Sequence, residues 1–85
     1  MQISRYAFIV KGPGYFPEEH TAEICSKYFS TKVVGVSNYE AAALAIKGLI
    51  ANDVQLIELC GGFTQTEVDE LRKLADDRAH IDVVR

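Results

Sequence analysis

The sequence predicts one small α/β domain built on a parallel sheet. Three observations predict it. Four short apolar runs alternate with three stretches that carry helical signals. The third run, Val54 to Leu59, is nearly continuous in apolar residues and ends in Cys60-Gly61-Gly62, the pattern of a strand buried on both faces. After the glycines come Thr64 and, three residues on, Glu67, the capping-box spacing that opens a helix. Strand, glycine loop and helix in that order aim free backbone N–H groups and the positive end of a helix at whatever lies above them.

The elements follow in order. Ile3 to Val10 is the first strand, rich in Ile, Val, Phe and Tyr. Lys11-Gly12-Pro13-Gly14-Tyr15 ends it as a turn. Pro17 with Glu18 and Glu19 suits a first helical turn, because proline fits there and acids complement the positive end. The pairs Ile24/Tyr28 and Cys25/Phe29 then extend a first helix over 17–29. Lys32 to Val36 is the second strand. Ser37 and Glu40 repeat the cap-to-acid spacing, so a second helix runs from there to Ala51 and stops at Asn52-Asp53. A third helix covers about 66–78, with Val68, Leu71, Leu74 and Ala75 on its apolar side. Ile81 to Arg85 is the fourth strand.

Strands alternating with helices imply right-handed parallel crossovers in three layers. The strand order 2-1-3-4, a truncated flavodoxin-like sheet, makes the first and third strands neighbours and reverses the winding between them. Ligands bind such sheets beyond the carboxyl ends of the strands at the reversal. Both glycine loops leave carboxyl ends there. That order also leaves one helix to cover a four-stranded face. An uncovered apolar area calls for a partner, so a homodimer or higher homo-oligomer is expected.

Composition narrows the class. Eighty-five residues make a single domain, 1–85, that buries only about 60–65% of its unfolded surface. A net charge of −3 with scattered Lys and Arg argues against nucleic acid. The apolar runs are too short for a membrane span, and the block from Tyr6 to Val10 reads as a strand rather than a signal core. Cys25 and Cys60 are expected as free thiols in a reducing cytoplasm.

The turns Lys11-Gly12-Pro13-Gly14-Tyr15 and Glu58-Leu59-Cys60-Gly61-Gly62-Phe63, with Val34-Gly35-Val36 and the closing valine-rich strand, resemble a family of short prokaryotic α/β proteins known only as a domain of unknown function. The likeness spans nearly the whole chain. It implies a compact α/β protein and carries no reaction, ligand or catalytic residue with it.

The residues themselves suggest a site for a small anion or metabolite. Its components are Lys11, Gly12, Gly14, Tyr15, His20, Glu58, Cys60, Gly61, Gly62, Phe63 and Thr64. Gly12 and Gly14 lack the third glycine of a dinucleotide fingerprint, since position 17 is Pro17, and no phosphate-loop motif exists. Each glycine alone is equally a plain turn residue. Cys60, near a helix start, is a candidate nucleophile or a small strand-end residue. The helix end contributes only about 0.3–1 kcal/mol, so activation needs a cation nearby, such as Lys11, His20 or Arg85. Glu58, inside an apolar strand, is a candidate acid–base group or a carboxylate held by neighbouring donors. Tyr15 and Phe63 either wall a crevice or anchor their loops in the core. His80 lies before the fourth strand, on the opposite edge, and is left out of the site. No metal-ligand spacing is present, and no cofactor is implied. Three readings follow: a small-ligand module, a small enzyme using Cys60 or Glu58, and a homo-oligomeric interaction protein whose glycine loops are structural. A crevice with converging polar groups favours the first two; a filled edge with Tyr15 and Phe63 packed inward favours the third.

Overall fold

A computed structural model describes residues 2–85. Five strands and two helices follow in the order β1 (Arg5–Lys11), β2 (Thr21–Cys25), β3 (Ser30–Val36), α1 (Tyr39–Ala51), β4 (Leu56–Leu59), α2 (Gln65–Ala75) and β5 (His80–Val83). The sheet order is β2-β3-β1-β4-β5. The pairs β1/β3, β1/β4 and β4/β5 are parallel, and β2 is antiparallel to β3.

The expected four-stranded, three-layer arrangement is therefore corrected to a five-stranded mixed sheet in two layers. The difference lies in 17–29, expected as a helix. Pro17-Glu18-Glu19 does start a helical turn: the N–H groups of Glu19 and His20 both donate to the Phe16 carbonyl. The turn stops at once. His20 Nδ1 accepts the Phe16 N–H at 2.9 Å, and the Thr21 hydroxyl donates to the Pro17 carbonyl at 2.6 Å. Ser26 closes the next reversal by accepting the N–H groups of Tyr28 and Phe29. Short polar side chains that capture nearby backbone groups compete directly with helix. The i,i+4 pairs read as a helical stripe belong instead to an edge strand and its turn.

The remaining elements keep their expected type with shifted ends. Asn38, rather than Ser37, caps α1 by accepting the Ala41 N–H. Thr64 and Glu67 form the reciprocal capping box of α2. That helix ends at Ala75, short of Arg78, because Asp76 and Asp77 take left-handed conformations with φ of 50° and 62°.

Handedness explains which face is covered. The crossovers β3-α1-β4 and β4-α2-β5 step in the same direction across the sheet, so with one hand they lie on the same face. There α1 packs on β3 and β1, α2 packs on β5, and the helices touch each other. The core between sheet and helices holds Ala7, Ile9, Val34, Val36, Ile46, Ile57, Leu59, Phe63, Val68, Leu71 and Ile81. The first connection steps the other way. A helix there would have covered the opposite face, but the segment is β2 and its loops, so among the described residues that face carries no helix and is covered only around Gly35, where Tyr15 and His20 pack. The β4 strand is consequently buried on one side only: Ile57 and Leu59 are buried, Leu56 and Glu58 half-buried.

Candidate functional site

Beyond the carboxyl ends of β1 and β4, the two glycine loops lie side by side. The Lys11 N–H donates to Cys60 Sγ at 3.1 Å, and the Cys60 N–H donates to the Ile9 carbonyl. A Cβ on Gly62 would lie 3.7 Å from the Lys11 carbonyl oxygen. The groups brought together are committed to one another. Lys11 Nζ pairs with Glu67 at 3.1 Å and stands 5.3 Å over the Phe63 ring. Glu67 is held below the usual carboxylate range, first by the Thr64 N–H and also by Lys11, against a desolvation that pulls the other way. Phe63 is 1% exposed and belongs to the core. Thr64 caps α2, and Arg85 reaches the Phe63 carbonyl at 3.3 Å.

The first loop bends away over β3. The Tyr15 ring lies on Gly12 and Gly35: a Cβ at Gly12 would come within 2.9 Å of the ring, and one at Gly35 within 3.0 Å. His20 packs on Gly35 too, and the Gly35 N–H donates to the His20 carbonyl at 2.7 Å. Gly14 has φ of 80°, the left-handed conformation its turn requires. Gly61 is confined by the Val84 carbonyl, 3.1 Å from where its Cβ would be. These two glycines, Gly12 and Gly35, thus seat an aromatic ring on the backbone. A surface cleft of about 340 Å³ lies at the other edge, lined in part by Arg5, Cys25, Lys27 and Tyr28. In that cleft local desolvation, then a hydrogen bond with Glu23, pushes the Cys25 thiol up.

Glu58 is separate from both loops. It projects from the uncovered face, where the Tyr6 hydroxyl donates to its Oε1 at 2.5 Å. Desolvation, then the Glu58 bond and charge, pushes the Tyr6 phenol up to about 12. Strand register lays out the rest of this face. One row across the sheet is Ile24, Thr31, Tyr6, Leu56 and His80; the next is Ala22, Val33, Phe8, Glu58 and Asp82. Columns β2, β3 and β1 are mainly apolar. Columns β4 and β5 carry the acids, with His80 Nε2 3.1 Å from Asp82. Tyr6, Asp82 and His80 are the residues that sequence reasoning missed. Their alternation with the core residues Ala7, Ile9 and Ile81 is the signal that would have placed them on one face.

Among the described residues, no group of three or more His, Cys, Asp or Glu side chains is placed to hold a metal ion. No helix there is long and apolar enough to cross a membrane. Cys25 and Cys60 are both free thiols.

Compared with known proteins, residues 4–85 match the model of DUF6506, a family of unknown function. No curated protein and no solved structure matches.

Proposed function

The chain belongs to the DUF6506 family, whose function is unknown, and from that premise we propose that it is a self-associating interaction module that works through its uncovered sheet face. One observation carries this reading: both helices lie on one face of a five-stranded sheet, while Tyr6, Phe8, Val10, Ile24, Val33 and Leu56 line the other. Ile24 is 76% exposed and Val33 38% exposed, a large apolar exposure for strand residues in a sheet. A chain this short has little other core to draw on.

The filled carboxyl edge supports the same reading. Phe63 is internal, Tyr15 seals two glycines, and Lys11, Cys60, Thr64 and Glu67 hold each other. Their local work is to join β1, β4 and α2. A small-anion site between the Gly12–Tyr15 and Glu58–Thr64 loops would have to displace these contacts before it could use the groups. Light scattering at high micromolar concentration tests the proposal. A mass of about twice the 9.4 kDa chain, falling to that of one chain in a folded Val33→Glu variant, supports it. A wild-type mass of one chain throughout sinks it.

A further inference from the structure

We infer that β2 pairs edge to edge with β2 of a second copy, antiparallel and about a two-fold axis at Ile24, joining two sheets into one. This goes beyond the face contact proposed above and uses other groups, the backbone of an edge strand.

The two edges of the sheet differ. In the ladder with β3, the Gly35 N–H donates to the His20 carbonyl and the Ser26 N–H to the Phe29 carbonyl. Antiparallel pairing alternates, so Ala22 and Ile24 also turn their backbone groups to β3, and Thr21, Glu23 and Cys25 turn theirs outward. Among the described residues these outward N–H and C=O groups meet no partner. The strand contains no proline or lysine and its ladder is unbroken, so the common means of blunting an edge are missing. At the far edge β5 is shorter, and Arg72 Nε donates to the outward Ile81 carbonyl at 3.0 Å. One edge is closed and the other open. A row of alternating donors and acceptors is complemented by another extended strand.

The β2 strand is complementary to itself. Its start follows the exposed Glu18 and Glu19, and its end leads to the exposed Lys27. A two-fold axis normal to the sheet runs the two strands antiparallel and brings the acidic start of each to the basic end of the other. The side chains choose the register. An axis at Glu23 would set two carboxylates directly opposite, which destabilises a pair. An axis at Ile24 sets Glu23 opposite Cys25 of the other copy and bonds the outward groups of both. It also brings together the two Ile24 side chains, each 76% exposed in the single chain. Lys27 then falls opposite Thr21 of the other copy, next to its Glu18 and Glu19. Both uncovered faces lie on one side of the joined sheet, so the face contact stays available.

Amide hydrogen exchange by NMR reads this contact, because a bond to a second copy protects N–H groups that water otherwise reaches. From a dilute to a millimolar sample, exchange at Glu23 and Cys25 is expected to slow by about tenfold or more. Ala22 and Ile24, bonded to β3 in both samples, serve as the reference. A contact across the face leaves these in-plane groups open, so the result is independent of the light-scattering test of that contact. Unchanged exchange at Glu23 and Cys25 in the millimolar sample overturns the inference, whether or not the face associates. A second measurement reads the register. Ile24→Cys combined with Cys25→Ser, its fold verified by circular dichroism, is expected to give disulfide-linked dimer under air oxidation well above the Cys25→Ser parent. A yield at the parent's level overturns the axis at Ile24.

Discussion

The Tyr6 hydroxyl donates to a Glu58 carboxylate oxygen 2.5 Å away, on the face of the sheet that no helix covers. The pair joins β1 to β4 diagonally and places a polar contact beside Phe8. Its cost and benefit are visible in the phenol, which desolvation and then the carboxylate push up to about 12.

Absorbance titration of the four tyrosines should therefore show one phenol ionising late, near pH 12. Tyr6→Phe should remove that step. Glu58→Gln should bring it down only part of the way, because desolvation is the larger cause. The sign for stability follows. A raised folded value means the folded state holds the proton more tightly, so this contribution is complete below about pH 10 and is lost as pH rises towards 12. Stability that rises over this window in wild type, relative to Tyr6→Phe, would contradict the assignment.

At the other end of the pH scale, the capping box of α2 governs the response. Thr64→Ala should cost about 1 kcal/mol in denaturant unfolding. Glu67 has a depressed folded value, so its contribution is full at neutral pH and disappears as pH falls through that value. Glu67→Ala should lose stability at pH 7 and show a flatter acid limb than wild type. An unchanged acid limb would separate Glu67 from the stability of the helix start.

Glycines that look alike in sequence should respond differently. A Cβ on Gly35 would press on the Tyr15 ring at 3.0 Å and on the His20 carbonyl at 3.1 Å, so Gly35→Ala should destabilise by about 1–3 kcal/mol. A Cβ on Gly62 meets only ordinary contacts from 3.6 Å outward, so Gly62→Ala should stay within about 0.5 kcal/mol. Thermal unfolding of the two variants checks the pair, and equal losses would contradict the packing described.

Phe63 and Tyr15 divide in the same way. Phe63 is 1% exposed and packs in the core, whereas Tyr15 is 39% exposed. Phe63→Ala should cost about 3–5 kcal/mol, a large share of what a domain this small possesses. Tyr15→Ala should cost clearly less. A Phe63→Ala variant as stable as wild type would place that ring outside the core.

Much of the architecture was legible because its signals are local. The run from Leu56 to Leu59, the glycines after it and the box from Thr64 to Glu67 each carry their own chemistry, and the strand–loop–helix junction stands there. The segment from Pro17 to Phe29 was not legible for a physical reason. Its helical start and its i,i+4 apolar pairs are real, but His20, Thr21 and Ser26 bind backbone groups within a few residues and turn the chain. That single substitution of strand for helix leaves most of one face without cover, Tyr15 and His20 packing there only on Gly35. It also changes the setting of Glu58, whose partner Tyr6 lies 52 positions away in the chain. Pairings across such a separation depend on register, which no local pattern encodes.

The measurement closest to the central claim is an isotope-filtered NOE experiment on a mixture of methyl-labelled and unlabelled chains. Intermolecular contacts are expected from the methyls of Val33, Ile24 and Val10 to aromatic protons of the other copy, Phe8 first. Intermolecular contacts confined to Leu44, which lies on α1 off this face, or none in a sample concentrated enough to associate, would contradict the claim.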